Sequence, residues 1–336
     1  MSKWLRIVLA SCIAASLYLF VKHTDFQQVA DSMQQIGYRF VLLVLTTFAA
    51  YLLGSLSWQY CMGNGSKNIS AGRLFIIRHI GETVSLLNPA SILVGDAFKI
   101  FLLRKHRIEK NTVIASLLIS RTLMIVTQLA LFSAAVLLLI ITSDKLILPF
   151  RTSHILILIP ALVALSLPLI VYQQRLTAYI LTTTVGRRLK TVCKGWKLKL
   201  QEIRIEITCL LQQHRKRLVL ATLFAALHWV LGSLEFFFIL KFLGLKVTLL
   251  KALIVDMGVI FFKSAGAFIP GQIGIEEYGN KIMLAAIGIP GIEIWITASI
   301  LRRARQLAWI IIGLVLYWLL FRKQNIQVNG NIVCDT

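Results

Sequence analysis

Two short stretches place charged residues beside helix-breaking residues in an otherwise apolar chain. They read NPASILVGDAFK at 88–99 and PGQIGIEEYGNK at 270–281. Proline is tolerated in the first turn of a helix and glycine permits a tight reversal, so each stretch is expected to open a new helix. The free N–H groups at a helix start favour a negatively charged ligand. These residues therefore predict either the binding of an anion, which inside a membrane would be a lipid phosphate, or only kinks in packed helices.

The two stretches belong to a longer internal match at an offset of about 180 residues. In each half a proline is followed by a glycine, an acid and a lysine, and the next apolar segment contains arginine. Ordered matches of this kind predict a twofold repeat. The matched residues are Pro89, Gly95, Asp96, Lys99 and Arg121 in the first half and Pro270, Gly274, Glu276, Lys281 and Arg302 in the second, where Arg303 and Arg305 follow.

Charged side chains inside apolar stretches must be compensated, because each costs at least about 2.5–3.5 kcal/mol near the bilayer centre. Helical spacing predicts two ion pairs, Asp96 with Lys99 and Glu277 with Lys281. These pairs are either cavity or gate residues or purely structural ones. The three arginines of the last apolar segment cannot all face one cavity, so at least one is expected to pair with Glu235, Asp256 or Glu276 or to reach the membrane surface.

The elements that position these residues are membrane-spanning helices. The chain is 57% hydrophobic and its mean hydropathy is +0.78, well above the range of water-soluble proteins. We expect an all-α polytopic membrane protein with six full transmembrane helices and two re-entrant helical hairpins broken by Pro and Gly. The full spans are predicted at about 4–21, 40–60, 113–141, 154–172, 218–240 and 293–320, and the hairpins at about 74–103 and 248–290.

The net charge of +22 is unevenly distributed along the chain. Residues 173–217 contain eleven Lys and Arg against Glu202 and Glu206, so the positive-inside rule places them in the cytoplasm. Their helical periodicity predicts an amphipathic segment on the inner leaflet, attracted to anionic lipids. Nucleic-acid binding is not expected, since no recognised module accompanies the charge.

The positive-inside rule also predicts how the two repeat halves are oriented in the membrane. With Lys3 and Arg6 in the cytoplasm, the first hairpin enters from the cytoplasmic side and the second from the opposite side, and Arg322 and Lys323 return to the cytoplasm. This is an inverted repeat, in which substrate sites lie near the membrane midplane between broken helices. If 248–265 is instead a full span, the C-terminus lies outside. We expect one membrane domain, 1–321, with repeat halves at about 40–141 and 218–320 and a polar tail at 322–336.

At these motifs the chain resembles a flippase-like membrane family. The family includes the transmembrane region of lysylphosphatidylglycerol synthase, the multiple peptide resistance factor and the YbhN-like inner-membrane proteins. The resemblance covers about 5–320 and rests on NPASILVGDAFKIFLLRK and IPGQIGIEEYG. The matching positions are Pro89, Gly95, Asp96, Pro270, Gly271, Gly274 and Glu277. The chain departs from the family pattern at Val94, Gln272 and Glu276, which stand where relatives usually have Gly, Gly and Arg.

The resemblance implies movement of a phospholipid or lipid-linked headgroup across a bacterial inner membrane. The soluble aminoacyl-transferase domain of some relatives is not found in this sequence, so lipid aminoacylation is not expected. The residues predicted to meet the headgroup are Asn88, Pro89, Gly95, Asp96, Lys99, Arg121, Pro270, Gly271, Gly274, Glu276, Glu277, Lys281, Arg302 and Arg305.

Two other functions stay open. A membrane enzyme acting on a lipid-linked substrate is one, although a metal-dependent version would need clustered acids such as DxD or DxxD, which the sequence lacks. A non-transporting accessory subunit of an envelope pathway is the other. We find no catalytic, nucleotide-binding or metal motif and expect no cofactor. The partners expected are the lipid substrate, anionic inner-leaflet lipids and either a second copy of the chain or an envelope-pathway protein.

Overall fold

The computed structural model describes residues 34, 36–86, 91–106, 108–142, 209, 215–265 and 274–333. The regular structure in these ranges is entirely helical, which confirms the predicted all-α class. Short 3-10 turns lie at Gly37–Arg39, Gly63–Asn68 and Arg104–His106. The α-helices are α1 (Phe40–Cys61), α2 (Ala71–Leu86), α3 (Ser91–Leu103), α4 (Lys110–Thr142), α5 (Arg215–Phe242), α6 (Leu249–Ala265), α7 (Ile275–Ala286) and α8 (Ile292–Val333).

Three helical segments of the described chain are long and apolar enough to cross a membrane, namely Gly37–Cys61, Lys110–Leu139 and Arg215–Phe242. They confirm the spans predicted at about 40–60, 113–141 and 218–240. Polar side chains within them bond to their own helix, as Thr47 does through its hydroxyl to the carbonyl oxygen of Leu43 at 2.7 Å. Such bonding satisfies the hydroxyl within its own helix, where no water is present to do so.

Of the three other predicted spans, one lies within a described helix and two do not lie in the described residues. The span at about 293–320 lies within α8, whose apolar sequence is interrupted by three buried arginines. The spans at about 4–21 and 154–172 lie outside the described residues, as does the basic segment 173–217 except for Cys209 and Arg215–Arg217.

The two predicted hairpins are both formed. In the first, Gly95 of α3 lies against Ser85 of α2 and Lys99 lies against Gly81, so the two helices run antiparallel. In the second, Gly279 of α7 lies against Phe262 of α6 and Met283 lies against Gly258, so these helices are antiparallel as well. At 1.5 Å per residue α2, α3, α6 and α7 are about 24, 20, 26 and 18 Å long, short of the roughly 30 Å hydrocarbon core. These lengths favour hairpins over full spans, including at 248–265.

The two halves are related by an inversion of direction. Helices α1 and α5 pack together along their length, with the Ser57 hydroxyl donating to the carbonyl oxygen of Ala221 at 2.8 Å. Toward the other end of the pair, His228 Nδ1 lies 2.6 Å from the carbonyl oxygen of Ala50. Residue numbers therefore rise along α1 as they fall along α5, so these equivalent helices are antiparallel. This is the relation that an inverted repeat requires.

The halves are also interlocked. The last helix of the first half, α4, packs against α5 and α6, and the last helix of the second half, α8, packs against α1 and α2. Each hairpin is therefore held between a long helix of its own half and one of the other half. Large apolar side chains such as Leu137, Val219 and Ile311 lie exposed on the outside of these long helices, as expected for a surface that faces lipid.

The close approach within the first hairpin predicts that Gly95→Ala destabilises the protein. An added Cβ would lie 1.8 Å from Ser85 Oγ and 2.5 Å from the carbonyl oxygen of Gly81, and a backbone atom cannot rotate away. We expect a loss of about 1–3 kcal/mol, as for other overpacked cores. The measurement is the thermal unfolding midpoint of the full-length protein in detergent. Gly72→Ala on α2, the other helix of this hairpin, is the control, since nothing lies within 4 Å of its added Cβ. Equal midpoints for the two variants would contradict the packing described.

Candidate functional site

The charged side chains of the helical core form two clusters, one at each hairpin. The first cluster lies where α2, α3 and α4 meet, and the second lies where α5, α6, α7 and α8 meet. Both contain acids and bases in contact. The first cluster is Arg78, Glu82, Asp96, Lys99 and Arg121; the second cluster is Glu235, Asp256, Lys263, Glu276, Glu277, Arg302, Arg303 and Arg305.

Ion pairs tie the first hairpin together and to α4. Lys99 Nζ lies 2.5 Å from Glu82 Oε1 across the hairpin and 3.3 Å from Asp96 Oδ1 on its own helix. The second contact confirms the predicted pair of Asp96 with Lys99. Arg121 of α4 donates from Nε to Asp96 Oδ2 at 2.8 Å and from Nη2 to Oδ1 at 2.7 Å. This two-point contact is the strongest geometry available to a guanidinium and a carboxylate.

The first cluster is buried on one side and open on the other. The Lys99 side chain is 4% exposed, its stem lies against Gly81, and its Nζ is 5.9 Å from the centroid of the Trp58 ring. The Asp96, Arg121 and Glu82 side chains are 19%, 35% and 49% exposed. Part of this cluster is therefore accessible to a ligand.

Arg78 is the cation of the first cluster that forms no ion pair with a described residue. Its Nη1 donates to the carbonyl oxygen of Tyr51 at 3.3 Å, and the guanidinium fits against Gly54 of α1. Glu82 and Arg121 are near enough to act on it electrostatically. With three bases and two acids, the first cluster carries one net positive charge.

Arg302 is the centre of the second cluster. Its Nη1 lies 3.1 Å from Asp256 Oδ1 and its Nε lies 2.9 Å from Glu276 Oε1, the latter contact being poorly aligned for a hydrogen bond. Lys263 Nζ lies 3.1 Å from the other oxygen of Glu276, which also accepts from Gln306 Nε2 at 2.7 Å. The guanidinium carbon is 4.3 Å from the centroid of an aromatic ring on α5. Four helices are thus joined through one buried arginine.

The neighbouring arginines are paired as well. Arg305 Nε donates to Glu235 Oε1 at 2.5 Å, and Arg303 pairs with Glu277. The prediction that the α8 arginines pair with buried acids is confirmed for Arg305 and Arg302. The second cluster has four acids and four bases and so no net charge, and its side chains are 4–24% exposed.

The predicted pair of Glu277 with Lys281 is wrong. Glu277 faces α8, where its carboxylate meets Arg303, and its other oxygen accepts from the Gly274 N–H at 2.8 Å. Both oxygens of Glu277 are therefore occupied by partners other than Lys281. Lys281 is exposed, with its Nζ 6.0 Å from the centroid of the Trp295 ring.

The two hairpin breaks differ at the helix start. Gly274, at a φ of +83° that favours glycine, precedes α7, and the first turn of α7 contains Glu276 and Glu277. These carboxylates occupy the position where a helix start attracts an anion. The first turn of α3 contains no acid. The predicted anion cradle from two open helix starts is thus already filled by the chain's own carboxylates at the second break.

The structure brings together most of the predicted headgroup residues. Asp96, Lys99 and Arg121 belong to the first cluster, and Gly95 lies at their hairpin. Those of the second half meet in the second cluster, apart from the exposed Lys281. Four predicted residues lie outside the described ranges: Asn88, Pro89, Pro270 and Gly271. Arg78 is not among the headgroup residues predicted from the sequence.

Comparison with known proteins identifies the family of this chain. A family model described as the lysylphosphatidylglycerol synthase TM region matches residues 3–315. The chain belongs to this family. A curated relative, the UPF0104 membrane protein PH1989 of Pyrococcus horikoshii, is 23% identical over 300 residues, which cover 86% of this chain and 88% of the relative. No solved structure matches the chain. The resemblance drawn from the sequence is therefore confirmed, and the chain is a multi-pass membrane protein.

The central position of Arg302 predicts that Arg302→Met is severely destabilising. The change leaves Asp256 and Glu276 buried with one cation fewer, and breaking a buried pair from one side costs about 3–5 kcal/mol. We expect a lower thermal unfolding midpoint in detergent. A second change, Asp256→Asn, removes the acid that has lost its arginine and should restore part of the loss. Lys281→Gln, at an exposed position, is the control and should have little effect. Equal midpoints for Arg302→Met and Lys281→Gln would contradict the assignment.

Proposed function

We propose that this protein is a lipid translocase that carries an anionic phospholipid or lipid-linked headgroup through a cavity near the membrane midplane. The observation that carries the proposal is the pair of charged hairpins within two antiparallel halves. Broken helices at the interface of inverted repeats are where transporters of this general design hold their substrates. The description of the matched family names a phospholipid, lysylphosphatidylglycerol, which supports a lipid as the molecule handled.

Carboxylate–arginine pairs suit this task because a phosphate can replace the carboxylate. Asp96 holds both N–H groups of the Arg121 fork, in the geometry that a phosphate oxygen pair also satisfies. Exchange of one anion for the other keeps the arginine paired at every step. A headgroup could then enter an apolar helix bundle without leaving a buried charge uncompensated, while the acyl chains stay in the bilayer.

The proposed location is the bacterial inner membrane, with both chain termini in the cytoplasm. The lysine and arginine distribution along the sequence supports this orientation. The basic segment 173–217 then lies against the anionic inner leaflet, near the lipids that the protein would handle.

Reporter fusions test the orientation. A green fluorescent protein fused to the C-terminus is expected to fluoresce, and alkaline phosphatase at the same place is expected to be inactive, because the inverted repeat returns α8 to the cytoplasm. Fusions in the loop after Gly244, between α5 and α6, should give the opposite result and serve as the internal control. An active phosphatase at the C-terminus would refute the proposed topology.

Reconstitution tests the transport itself. The full-length protein in liposomes with acyl-labelled fluorescent phosphatidylglycerol should expose inner-leaflet label to dithionite, whereas empty liposomes should protect it. Asp96→Asn is expected to slow this exchange by about tenfold or more, because Arg121 and Lys99 lose the carboxylate that replaces a departing phosphate.

Glu293→Gln is the matched control, an acid-to-amide change at an exposed position in the first turn of α8. It should flip lipid at the wild-type rate. The proposal fails if the wild-type protein does not accelerate exchange, or if Asp96→Asn and Arg121→Gln both exchange lipid as fast as this control.

A further inference from the structure

The two charged clusters occupy equivalent places in the two halves but differ in charge balance. The first has one base more than it has acids, and the second has equal numbers. They also differ in access, since the most exposed side chain of the second cluster is 24% exposed whereas Glu82 is 49% exposed. A symmetric scaffold therefore carries two sites of different electrostatic character.

The surplus positive charge resides on Arg78. A guanidinium has five N–H donors, and the contact with the Tyr51 carbonyl oxygen occupies one of them. The neighbouring position on α1 is Gly54, where a Cβ would lie 2.0 Å from Nη1, so the absence of a side chain makes room for the guanidinium. The helices thus accommodate a cation that the described part of the chain leaves without a carboxylate. Such a charge inside a membrane protein requires an anion or water.

Arg121 adds a second cation to the same space. It is 35% exposed, pairs with Asp96, and lies within electrostatic range of Arg78. Two guanidinium groups near one another repel unless an anion lies between them, and phosphate oxygens match the geometry of both. The first cluster therefore has free donors, access and a net charge that favours a single negative charge.

The second cluster has no surplus charge and is less exposed. Each of its arginines already faces a carboxylate, and Glu277 also accepts from the backbone at the start of α7. An anion arriving there would compete with acids that are already in place and meet negative charge at the helix start. The contacts of this cluster join α5, α6, α7 and α8 instead.

We infer that the first cluster alone is the headgroup site, with Arg78 and Arg121 as its anion contacts, and that the second cluster is a structural tie. The ligand class is a phosphodiester headgroup of one net negative charge, as in phosphatidylglycerol, since one such charge neutralises the cluster. This inference rests on the proposed function, narrows it to one half of the repeat, and adds Arg78 to the residues that contact the substrate.

Equilibrium binding tests the assignment without requiring transport. Full-length protein in detergent is titrated with short-chain phosphatidylglycerol, with short-chain phosphatidylcholine of equal chain length, and with inorganic phosphate. The wild type is expected to prefer phosphatidylglycerol over the zwitterionic lipid by about tenfold or more, and over inorganic phosphate likewise, because the acyl chains remain in the apolar phase. Equal affinity for inorganic phosphate and phosphatidylglycerol would overturn the lipid assignment.

Arg78→Gln is the decisive variant. Glutamine keeps a polar amide but carries no charge, so we expect the preference for phosphatidylglycerol to fall by about tenfold. Lys263→Gln removes one cation from the corresponding hairpin helix of the second half and should leave that preference within about twofold. Retention of the preference in Arg78→Gln, or its loss in Lys263→Gln with Arg78 intact, would overturn the inference.

Two further variants distinguish the loss of the Arg78 charge from a folding defect. Arg78→Lys keeps the charge and should retain most of the preference. Gly54→Ala leaves Arg78 in the sequence but displaces its guanidinium, and should weaken phosphatidylglycerol binding. Wild-type binding in Gly54→Ala would count against the role of Arg78. Selective binding by a wild type that fails to flip lipid would contradict the proposed function while supporting this site, so the two failures can be told apart.

Discussion

The cost of an uncompensated charge in an apolar medium determines how this helical bundle is held together. Lipid tails are as apolar as the side chains that face them, so hydrophobic burial gives little drive for helices to associate within a membrane. Polar contacts and close packing must supply it. Arg302 reaches acids on α6 and α7 from α8, and Arg121 reaches Asp96 from α4. In each half a guanidinium on the long helix fixes the position of the preceding hairpin.

The same pairing recurs in both halves, although the charges around it do not. An acid on the second hairpin helix pairs with an arginine 25 or 26 residues later, as Asp96 does with Arg121 and Glu277 with Arg303. On the first hairpin helix the order of charge is reversed, with Arg78 before Glu82 in α2 and an acid before a base in α6. The inverted repeat thus preserves the contact that holds each hairpin while allowing the electrostatics of the two halves to diverge.

Much of this arrangement could be predicted from the sequence because it follows from local rules. The lengths of the apolar stretches predicted the three described spans, and the Pro and Gly residues predicted the positions of the hairpins. The three-residue spacing predicted the pair of Asp96 with Lys99. The spacing rule failed at Glu277, because it considers one helix at a time and Arg303 approaches from another. The contacts of Arg78 were equally hidden, since its donation to the Tyr51 carbonyl oxygen, and not to a described carboxylate, depends on how α1 and α2 pack.

Exposure decides which of these ion pairs can exchange partners. A pair in contact with water loses little when it opens, because solvent replaces the partner, whereas a fully buried pair exposes each charge to an apolar surrounding. The side chains of Arg121 and Glu82 are open on one side and so come nearer the first kind, whereas those of Arg302 and Arg305 are buried and belong to the second. Rearrangement is therefore far less costly at the first hairpin than at the second. A bundle built in this way combines one hairpin whose ion pairs can open with one whose ion pairs hold the surrounding helices in place.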